Sequence, residues 1–528
     1  MSENRSIAKS AGIIGSSTFL SRILGFVRDA VVAQYFGAGL SADAFFVAFR
    51  IPNLLRRLFA EGSLTVSFIP VFTEYLTERS KRESLELVNI TFTVISMILV
   101  VISILGIVFS PLIVRLTAWG FIDSPEKLEL TVLLTRIMFP YIFFIGLTAL
   151  CMGVLNSLGH FAAPALSPVL LNVSMIISVL FFSQYLDRPV LSLAIGVIIG
   201  GVLQLILQFP FLKEKDIRFR LDFHLSHPAI KRIGLLMLPA VFGAALYQVN
   251  VVISTLIASF LQEGSISYLY YASRLIEFPL GIFAVAIGTA VLPSMSRYAA
   301  RMEMNELKDT LSFALRLVFF FTIPAMVGLI VLRIPIISVL FQRGEFEYET
   351  TLLTAKALLY FSLGLWAVAG GRIIVPTFYS LQDTKTPVKI AMLALFINIV
   401  LSIILAFPLG LRHGGLALAT SISSAINMVV LLIILSKRLG GLGINNVLVS
   451  VFKVSVSSAV MGIFVYLFCF RIRWDMVSDI KERILTLGGS VVIGVTIFFL
   501  CAFLLKCQES FAFIEVIKNR VRGSKIGT

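Results

Sequence analysis

Long apolar runs, separated by short polar segments, fill nearly the whole chain. A helix rises 1.5 Å per residue, so about 20 apolar residues cross a hydrocarbon core about 30 Å thick. Most of the runs reach or exceed this length. The pattern predicts fourteen membrane spans, at about 11–36, 43–75, 88–116, 129–155, 162–184, 189–212, 233–260, 267–296, 309–340, 352–380, 387–407, 414–436, 447–470 and 484–506. We therefore predict an all-α polytopic membrane protein with 14 transmembrane helices.

The composition supports a membrane protein with little mass outside the bilayer. The chain has 528 residues, of which 58% are hydrophobic and 14% charged, against about 25% charged in soluble domains. Its net charge of +15 fits basic cytoplasmic loops beside anionic lipid, and we expect no nucleic-acid partner. The four cysteines form no CxxC motif and indicate neither a disulfide framework nor a metal site. Without a P-loop, a catalytic triad or a zinc motif, the sequence predicts no enzyme and no catalytic residues.

The loop charges predict the orientation. Basic residues concentrate in loops on the side of the N-terminus, around 79–82, 213–232 and 297–308, and in the C-terminal tail. The opposite loops are poor in lysine and arginine, apart from 471–483. Because cytoplasmic loops carry the excess of Lys and Arg, both termini are predicted to be cytoplasmic. We expect the first helix to be retained rather than cleaved as a signal peptide.

Two pairs of prolines indicate an internal repeat. Pro70 and Pro293 end spans 2 and 8, and Pro164 and Pro387 follow spans 4 and 10, both pairs with an offset of 223 residues. Parallel repeats around a central site are common in transporters. We predict an N-lobe at 1–212 and a C-lobe at 233–436, joined by a basic cytoplasmic linker at 213–232. The remaining 437–528 would form spans 13 and 14 and a basic tail.

Charged residues interrupt the apolar pattern most densely between Ser21 and Pro70. A charge at bilayer depth costs about 2.5–3.5 kcal/mol on insertion scales, so it must face a bundle interior or a water-filled cavity. Basic residues outnumber acidic ones in this stretch. The surplus predicts a cavity that receives an anion.

In span 1, Arg22 and Arg28 flank Gly25. Six residues apart on a straight helix, the two side chains point about 120° away from each other. Both face one cavity only if the helix bends, which Gly25 permits. The alternative is that Arg28 pairs with Asp29 or another carboxylate.

Span 2 carries a second basic cluster after Pro52, which can kink the helix. Arg57 and Glu61 are an i,i+4 pair, so Glu61 can neutralise Arg57. Arg56 is then the better ligand candidate.

In span 8, Arg274 lies three residues before Glu277, with which it can pair, and follows a group of tyrosines that could instead form an interfacial belt. Arginine suits phosphate because its planar, always ionised fork makes bidentate hydrogen bonds. Several converging arginines would fit a pyrophosphate better than a monocarboxylate.

The motifs around these residues resemble the MurJ/MviN family of bacterial lipid II flippases, in the multidrug/oligosaccharidyl-lipid/polysaccharide exporter superfamily. They read SRILGFVRDA at 21–30, FGAGLSADAFFVAFRIPNLLRRLFAEG at 36–62, YYASRLIEFP at 270–279 and YSLQDTKTPVKIA at 379–391. The resemblance extends over essentially the whole chain. It departs at Ser273, where some relatives have an aspartate.

The resemblance implies two six-helix lobes in a V around a central cavity, with spans 13 and 14 forming a groove for the undecaprenyl tail. It places the substrate-binding arginines at Arg22, Arg28, Arg56 and Arg274, and an acidic residue of the cavity rim at Asp43. We expect supporting or gating roles for the neighbouring residues Ser21, Gly25, Asp29, Asp43, Arg57, Glu61 and Glu277.

The implied function is alternating-access translocation of lipid II, an undecaprenyl-pyrophosphate-linked disaccharide-pentapeptide, for cell-wall synthesis. Membrane lipids and cell-wall synthesis proteins are the other expected partners. No cofactor is expected, and the energy source stays open among the membrane potential, sodium and protons. Some relatives are thought to bind sodium through carboxylates, whereas spans 7 and 11 here offer Gln248, Asn250, Asn398 and Ser402. The alternatives are a flippase for another undecaprenyl-linked oligosaccharide, a drug exporter and a non-transporting scaffold.

Overall fold

The computed structural model describes residues 2–56, 64–224, 227–469, 474 and 480–511. Within these ranges the chain forms helices and turns and contains no β-strand. The α-helices are α1 Ser2–Phe36, α2 Leu40–Arg56, α3 Leu64–Glu78, α4 Lys81–Val108, α5 Ser110–Thr117, α6 Pro125–Met138, α7 Tyr141–Ser157, α8 Ala162–Phe182, α9 Leu191–Glu214, α10 Pro228–Ser259, α11 Ser265–Pro279, α12 Val285–Ala300, α13 Met304–Val331, α14 Arg333–Phe341, α15 Tyr348–Ser362, α16 Leu365–Ser380, α17 Lys385–Ala406, α18 His413–Arg438, α19 Ile444–Cys469 and α20 Ile480–Leu504. Short 3₁₀ segments at Trp119–Asp123 and Ser183–Tyr185 and a π-helical segment at Leu280–Ala284 complete the order.

Ten helical segments among the described residues are long and apolar enough to cross a membrane, or eleven if α15 and α16, bent by 42°, form one span. The prediction of an all-helical, multi-span membrane protein is therefore confirmed, while the count of fourteen stays a prediction. Helices α1 and α2 lie outside this set. They are the helices that carry Arg22, Arg28 and Asp43, and α2 is also short, at 17 residues.

Proline explains where the helices depart from the predicted spans. The predicted third span, 88–116, is two helices, because Pro111 lies in the first turn of α5 and cannot continue the hydrogen bonding of α4. Pro164 and Pro387 each occupy the third position of a helix, in α8 and α17. A proline is tolerated in a first turn because the N–H groups there have no partner within the helix.

The chain divides into two compact units. The first comprises Met1–Ser267 with Arg343–Phe346, and the second Tyr268–Gln342 with Glu347–Thr528. Helix α10, which the sequence assigns to the second repeat, packs against α3 within the first unit. Superposition of the two predicted repeats stays a prediction.

In the first unit, α7 contributes a large part of the buried core, together with α3, α4 and α9. Helix α8 packs along both α1 and α9. The contact with α9 is close because of Gly196, where an added Cβ would lie 2.8 Å from the Cα of Met175. Small residues allow helix backbones to approach in this way inside membranes.

In the second unit, α13 packs against α12, α16 and α19. Helix α17 lies along α18, and α19 along α20. Gly288 on α12 permits close packing on α16, since an added Cβ would lie 2.9 Å from the carbonyl oxygen of Arg372. These contacts make a second helical core independent of the first.

Candidate functional site

Helix α1 continues through Gly25 without a break, and Arg22 and Arg28 lie in different surroundings. Arg22 is exposed, whereas Arg28 is 6% exposed. This is the outcome that a six-residue spacing on an unbroken helix predicts. The convergence of both side chains through a bend at Gly25 is not seen in this structure.

Arg28 is held by hydrogen bonds to the side chains of Asp29 and Asn172. Its Nε and Nη2 donate to Oδ1 of Asp29 over 3.0 and 2.7 Å, and its Nη1 donates to Oδ1 of Asn172 on α8 over 3.0 Å. Asp29 is buried as well, at 3% exposure. The pairing of Arg28 with Asp29, left open by the sequence, is thus present in this conformation, and the buried pair carries no net charge.

Asn172 also holds the backbone of α1 about two turns before Arg28. Its Nδ2 donates to the carbonyl oxygen of Ser21 over 3.2 Å. One buried amide therefore fixes two points of α1 on either side of Gly25.

Asp43, in the first turn of α2, is almost completely buried and accepts four hydrogen bonds. Lys127 Nζ on α6 donates to Oδ2 over 2.7 Å, and the Gly264 N–H donates to the same oxygen over 2.9 Å. The N–H and Oγ of Ser267 both donate to Oδ1, over 2.9 and 2.6 Å. Lys127 additionally lies 4.4 Å from the ring centroid of Phe121. In this conformation Asp43 is a buried link among α2, α6 and the start of α11.

The basic cluster at the end of α2 is described only in part. Arg50 donates through Nη1 to the hydroxyl of Thr255, and Arg56 donates through Nε to Oδ1 of Asn53 over 2.9 Å. Arg57 and Glu61 lie outside the described residues, so their proposed pairing stays a prediction.

Arg274 belongs to the second unit. Its Nη1 bonds Oε2 of Glu277 over 3.1 Å, and its Nη2 donates to the hydroxyl of Tyr270 over 3.2 Å. The pairing with Glu277 that the sequence allowed is therefore present. Three of the four predicted arginines, Arg22, Arg28 and Arg56, lie in the first unit and the fourth lies in the second.

The second unit also contains an apolar cavity of about 420 Å³. Helices α13, α16, α18 and α19 line it with side chains that are apolar except for two serines: Leu311, Ser312, Leu315, Phe319, Ile323, Met326, Trp366, Met428, Val429, Leu432, Val447, Leu448, Val451 and Ser455, with Leu442 from the preceding loop. The resemblance implied a tail groove formed by spans 13 and 14. Of these two, only α19 lines the cavity within the part of the chain that the structure describes.

The polar side chains considered for sodium coupling, in spans 7 and 11, lie in the protein interior, and Asn398 is hydrogen-bonded there. Asn398 Nδ2 donates to the hydroxyls of Thr420 and Ser423, each over 3.3 Å. Gln248 and Ser402 are buried, and Asn250 Oδ1 is buried with no hydrogen-bond partner in the structure. The described residues include no group of three or more His, Cys, Asp or Glu side chains suited to a metal ion.

Sequence reasoning missed Asn172 and Lys127, which hold Arg28 and Asp43. The available signal for Asn172 is an isolated amide in an otherwise apolar span, a feature typical of interhelical hydrogen bonding. Lys127 lies just before the predicted fourth span, where a basic residue has the pattern of a solvated helix start. Neither residue is near its partner in the sequence.

Comparison with known proteins agrees with these features. The sequence model of the family "Lipid II flippase MurJ" matches residues 32–483. The probable lipid II flippase MurJ of Vibrio cholerae is 39% identical over 517 residues, covering 95% of this chain and 97% of that protein. The lipid II flippase MurJ of Burkholderia cenocepacia is 39% identical over 429 residues, covering 80% of this chain and 83% of the relative.

Solved structures show the same fold. A lipid II flippase MurJ in an inward closed conformation aligns with a TM-score of 0.77 and 31% identity, covering 96% of this chain and 99% of the other. An inward-facing multidrug resistance MATE family transporter of the MOP superfamily aligns with a TM-score of 0.65 at 16% identity, over 82% and 98% of the two chains. The second match shows a shared fold alone. From the family match and the relatives together, the chain belongs to the lipid II flippase MurJ family.

Proposed function

We propose that this protein moves lipid II from the inner to the outer leaflet of the bacterial cytoplasmic membrane by alternating access, supplying cell-wall synthesis. The observation that carries the proposal is family membership: the family sequence model matches residues 32–483, and a relative named as a probable lipid II flippase is 39% identical over 95% of the chain. The buried and exposed arginines of α1 and the apolar cavity of the second unit add chemistry that suits this substrate.

Lipid II joins a charged pyrophosphate to a long apolar tail. Arg22 is exposed on α1 and forms no ion pair with any described residue, so its guanidinium can receive a phosphate. Arg28, Arg56 and Arg274 would contribute further donors if their present partners give way on binding. Bidentate arginine contacts suit phosphate oxygens, and they are stronger away from bulk water.

The apolar cavity in the second unit would receive part of the undecaprenyl tail. Its walls offer only the hydroxyls of Ser312 and Ser455 as side-chain polar groups, apart from the indole of Trp366. A polyprenyl chain has no hydrogen-bonding groups to satisfy, so such a lining fits it. Transfer into this cavity keeps the tail in apolar surroundings while the head group crosses.

The proposal includes fourteen spans with both termini in the cytoplasm, a topology that rests on the loop charges. A reporter fused after Thr528 is expected to be cytoplasmic, and one inserted near Asp123 is expected to be external. The reverse result would contradict the direction of transport proposed here.

The function is tested by depletion in bacterial cells that depend on this protein. We expect lipid II to accumulate, while other undecaprenyl-linked oligosaccharides stay at their normal amounts. Wild-type protein should restore the normal pool and Arg22→Ala should not, at equal membrane abundance. Arg79→Ala, which alters an exposed arginine in the turn between α3 and α4, serves as the control. Accumulation of a different lipid-linked sugar would assign the transporter to that substrate instead.

A further inference from the structure

The segment at 217–224, within the predicted linker, runs along the surface of α4. The Arg220 N–H donates to Oδ1 of Asn89 over 3.0 Å, and the Asp222 N–H donates to Oγ1 of Thr93 over 2.9 Å. At its start, Lys81 Nζ bonds Oδ2 of Asp216 over 2.8 Å. From Lys81 to Thr93 the helix rises about 18 Å, so the segment extends along α4 in the same direction as the helix.

Apolar contacts fix the inward side of this segment. The ring of Phe219 stacks on Phe92 of α4 with centroids 4.2 Å apart, and Ile217 is 6% exposed. The position of the segment is thus set by both hydrogen bonds and packing.

The depth that the segment reaches follows from the sequence of α4. The apolar part of this helix begins at Leu87, and the rise from Leu87 to Val108 is about 32 Å, which matches a hydrocarbon core of about 30 Å. Thr93 lies about 9 Å along the helix from Leu87. The end of the segment therefore lies about 9 Å past the start of the apolar part of α4, within the depth of about 5–10 Å that interfacial elements reach.

The outward side of the segment combines apolar and basic side chains. Leu221 and Phe223 are 67% and 63% exposed. Arg218 and Arg220, which alternate with Phe219 and Leu221, are exposed as well. The acidic residues are engaged elsewhere, Asp216 by Lys81 and Asp222 by His224 Nδ1 at 2.6 Å. A surface of this composition at this depth is typical of interfacial membrane contacts, where apolar side chains enter the acyl boundary and basic ones meet head groups.

We propose that residues 218–223 form a phospholipid-binding element, in which Leu221 and Phe223 enter the acyl boundary while Arg218 and Arg220 bind anionic lipid phosphates. In the orientation predicted from the loop charges, this lipid belongs to the inner leaflet. The element is separate from the proposed lipid II site and anchors the linker between the two predicted repeats to the membrane surface.

The test places one tryptophan at each end of the segment in the full-length protein. Leu221→Trp marks the proposed membrane end, and Lys215→Trp, at an exposed site near the start of α4, is the matched control. Both variants are reconstituted in vesicles of phosphatidylcholine and phosphatidylglycerol, with and without lipids brominated near the head of the acyl chain. The signal is the difference from wild-type protein, whose three tryptophans supply the background.

We expect brominated lipid to quench the added fluorescence of Leu221→Trp and aqueous iodide to quench that of Lys215→Trp. Removing both basic groups in the Leu221→Trp background, with Arg218→Gln and Arg220→Gln, should weaken the dependence of this quenching on phosphatidylglycerol by about 25-fold, which is about fivefold per arginine. Lys385→Gln with Lys389→Gln, which neutralises two exposed lysines at the start of α17, should leave that dependence unchanged.

Equal quenching of both tryptophans by iodide would overturn the proposal and place the segment in water. Quenching of Leu221→Trp by brominated lipid without any dependence on phosphatidylglycerol would overturn the part played by the arginines. Protection from both quenchers would instead indicate that a protein covers the segment, and would also contradict a lipid contact.

Discussion

Arg28 and Asn172 are joined by a hydrogen bond of 3.0 Å between Nη1 and Oδ1, across 144 residues of sequence. The same amide donates to the carbonyl of Ser21, so α8 fixes α1 on both sides of Gly25. Arg28 is therefore oriented by a residue of a neighbouring helix, while Asp29 neutralises its charge.

Replacing Asn172 tests this dependence. Asn172→Ala removes one acceptor from Arg28 and one donor from the Ser21 carbonyl, which should destabilise the protein by about 1–3 kcal/mol. We expect a loss of flipping larger than this destabilisation explains, because Arg28 loses its orientation. Asn172→Asp should retain the contact with Arg28 yet still impair flipping, since a second carboxylate competes with the pyrophosphate.

Gln204→Ala is the control for Asn172. Gln204 is a buried amide of α9 in the same unit, and it donates to the carbonyl of Ser167 over 2.9 Å. It should reduce thermal stability to a similar extent while leaving flipping per folded molecule unchanged. Equal losses of flipping in Asn172→Ala and Gln204→Ala would show that Asn172 is only structural.

Arg28 can have two roles, neutralising Asp29 and binding pyrophosphate, and variants of the ion pair distinguish them. Arg28→Gln alone leaves Asp29 buried without its counter-charge, which costs about 3–5 kcal/mol for a buried pair. Arg28→Gln with Asp29→Asn removes both charges and should recover much of the stability. If Arg28 also binds pyrophosphate, the double variant should reach the membrane in normal amounts but remain defective in flipping. Full complementation by the double variant would limit Arg28 to neutralising Asp29.

At each of the four candidate arginines, substitution by lysine should impair flipping less than substitution by alanine. We expect Arg→Ala at Arg22, Arg28, Arg56 or Arg274 to abolish flipping, and Arg→Lys to restore it only in part, because a point charge replaces a planar fork. Complementation of depleted cells, with membrane abundance measured in parallel, checks the prediction. Normal growth with all four alanine variants would contradict an arginine-lined site.

Replacing Asp43 should destabilise the protein more than replacing Lys127, its buried ion-pair partner. Asp43→Ala leaves Lys127 without its counter-charge and also removes the acceptor of Gly264 and Ser267, so we expect a loss of about 3–5 kcal/mol. Lys127→Met leaves Asp43 with its three other donors and should cost less. Thermal unfolding of the purified variants checks the order, and the double variant Asp43→Asn with Lys127→Met should lose less than the sum of the single losses. Strictly additive losses would mean that the two side chains act independently.

The exposed pair at the end of the 217–224 segment should depend on pH. The hydrogen bond that His224 donates to the carboxylate of Asp222 raises the pKa of His224 above its ordinary 6.5 and lowers the pKa of Asp222. The contribution of His224 to folding stability is therefore complete below its ordinary pKa, and it is lost as the pH rises through the raised pKa. At the acid end, the pair is lost as the pH falls through the lowered pKa of Asp222.

Histidine-labelled NMR of the intact protein measures this titration. His224 should titrate above its ordinary value, and Asp222→Asn should return its pKa towards that value. His224→Gln identifies the signal among the four histidines. An unchanged pKa in Asp222→Asn would show that the carboxylate is not its partner.

Much of the fold could be predicted from the sequence, because each span is long and almost continuously apolar, as in α9 and α13. The divisions within spans were harder to predict. The break between α4 and α5 depends on Pro111, but the apolar pattern continues across it, so hydropathy alone joins the two helices.

The site was predicted in its charges but not in its contacts. The cost of a charge in lipid identifies Arg28 and Asp43 from local sequence. Their partners Asn172 and Lys127 are 144 and 84 residues away, and which helix faces which is decided by packing between helices. A local pattern contains no such information, so the sequence could not predict that Asp43 is buried against Lys127 in this conformation, and its place at a cavity rim stays a prediction.

The central claim is tested most directly by measuring translocation with purified protein. Vesicles containing lipid II with a fluorescent head group are treated with a membrane-impermeant quencher, and the protected inner pool is followed over time. Wild-type protein should make that pool accessible much faster than protein-free vesicles do, and Arg22→Ala should abolish the gain while Arg79→Ala retains it. Equal rates for wild-type protein, Arg22→Ala and protein-free vesicles would contradict the account.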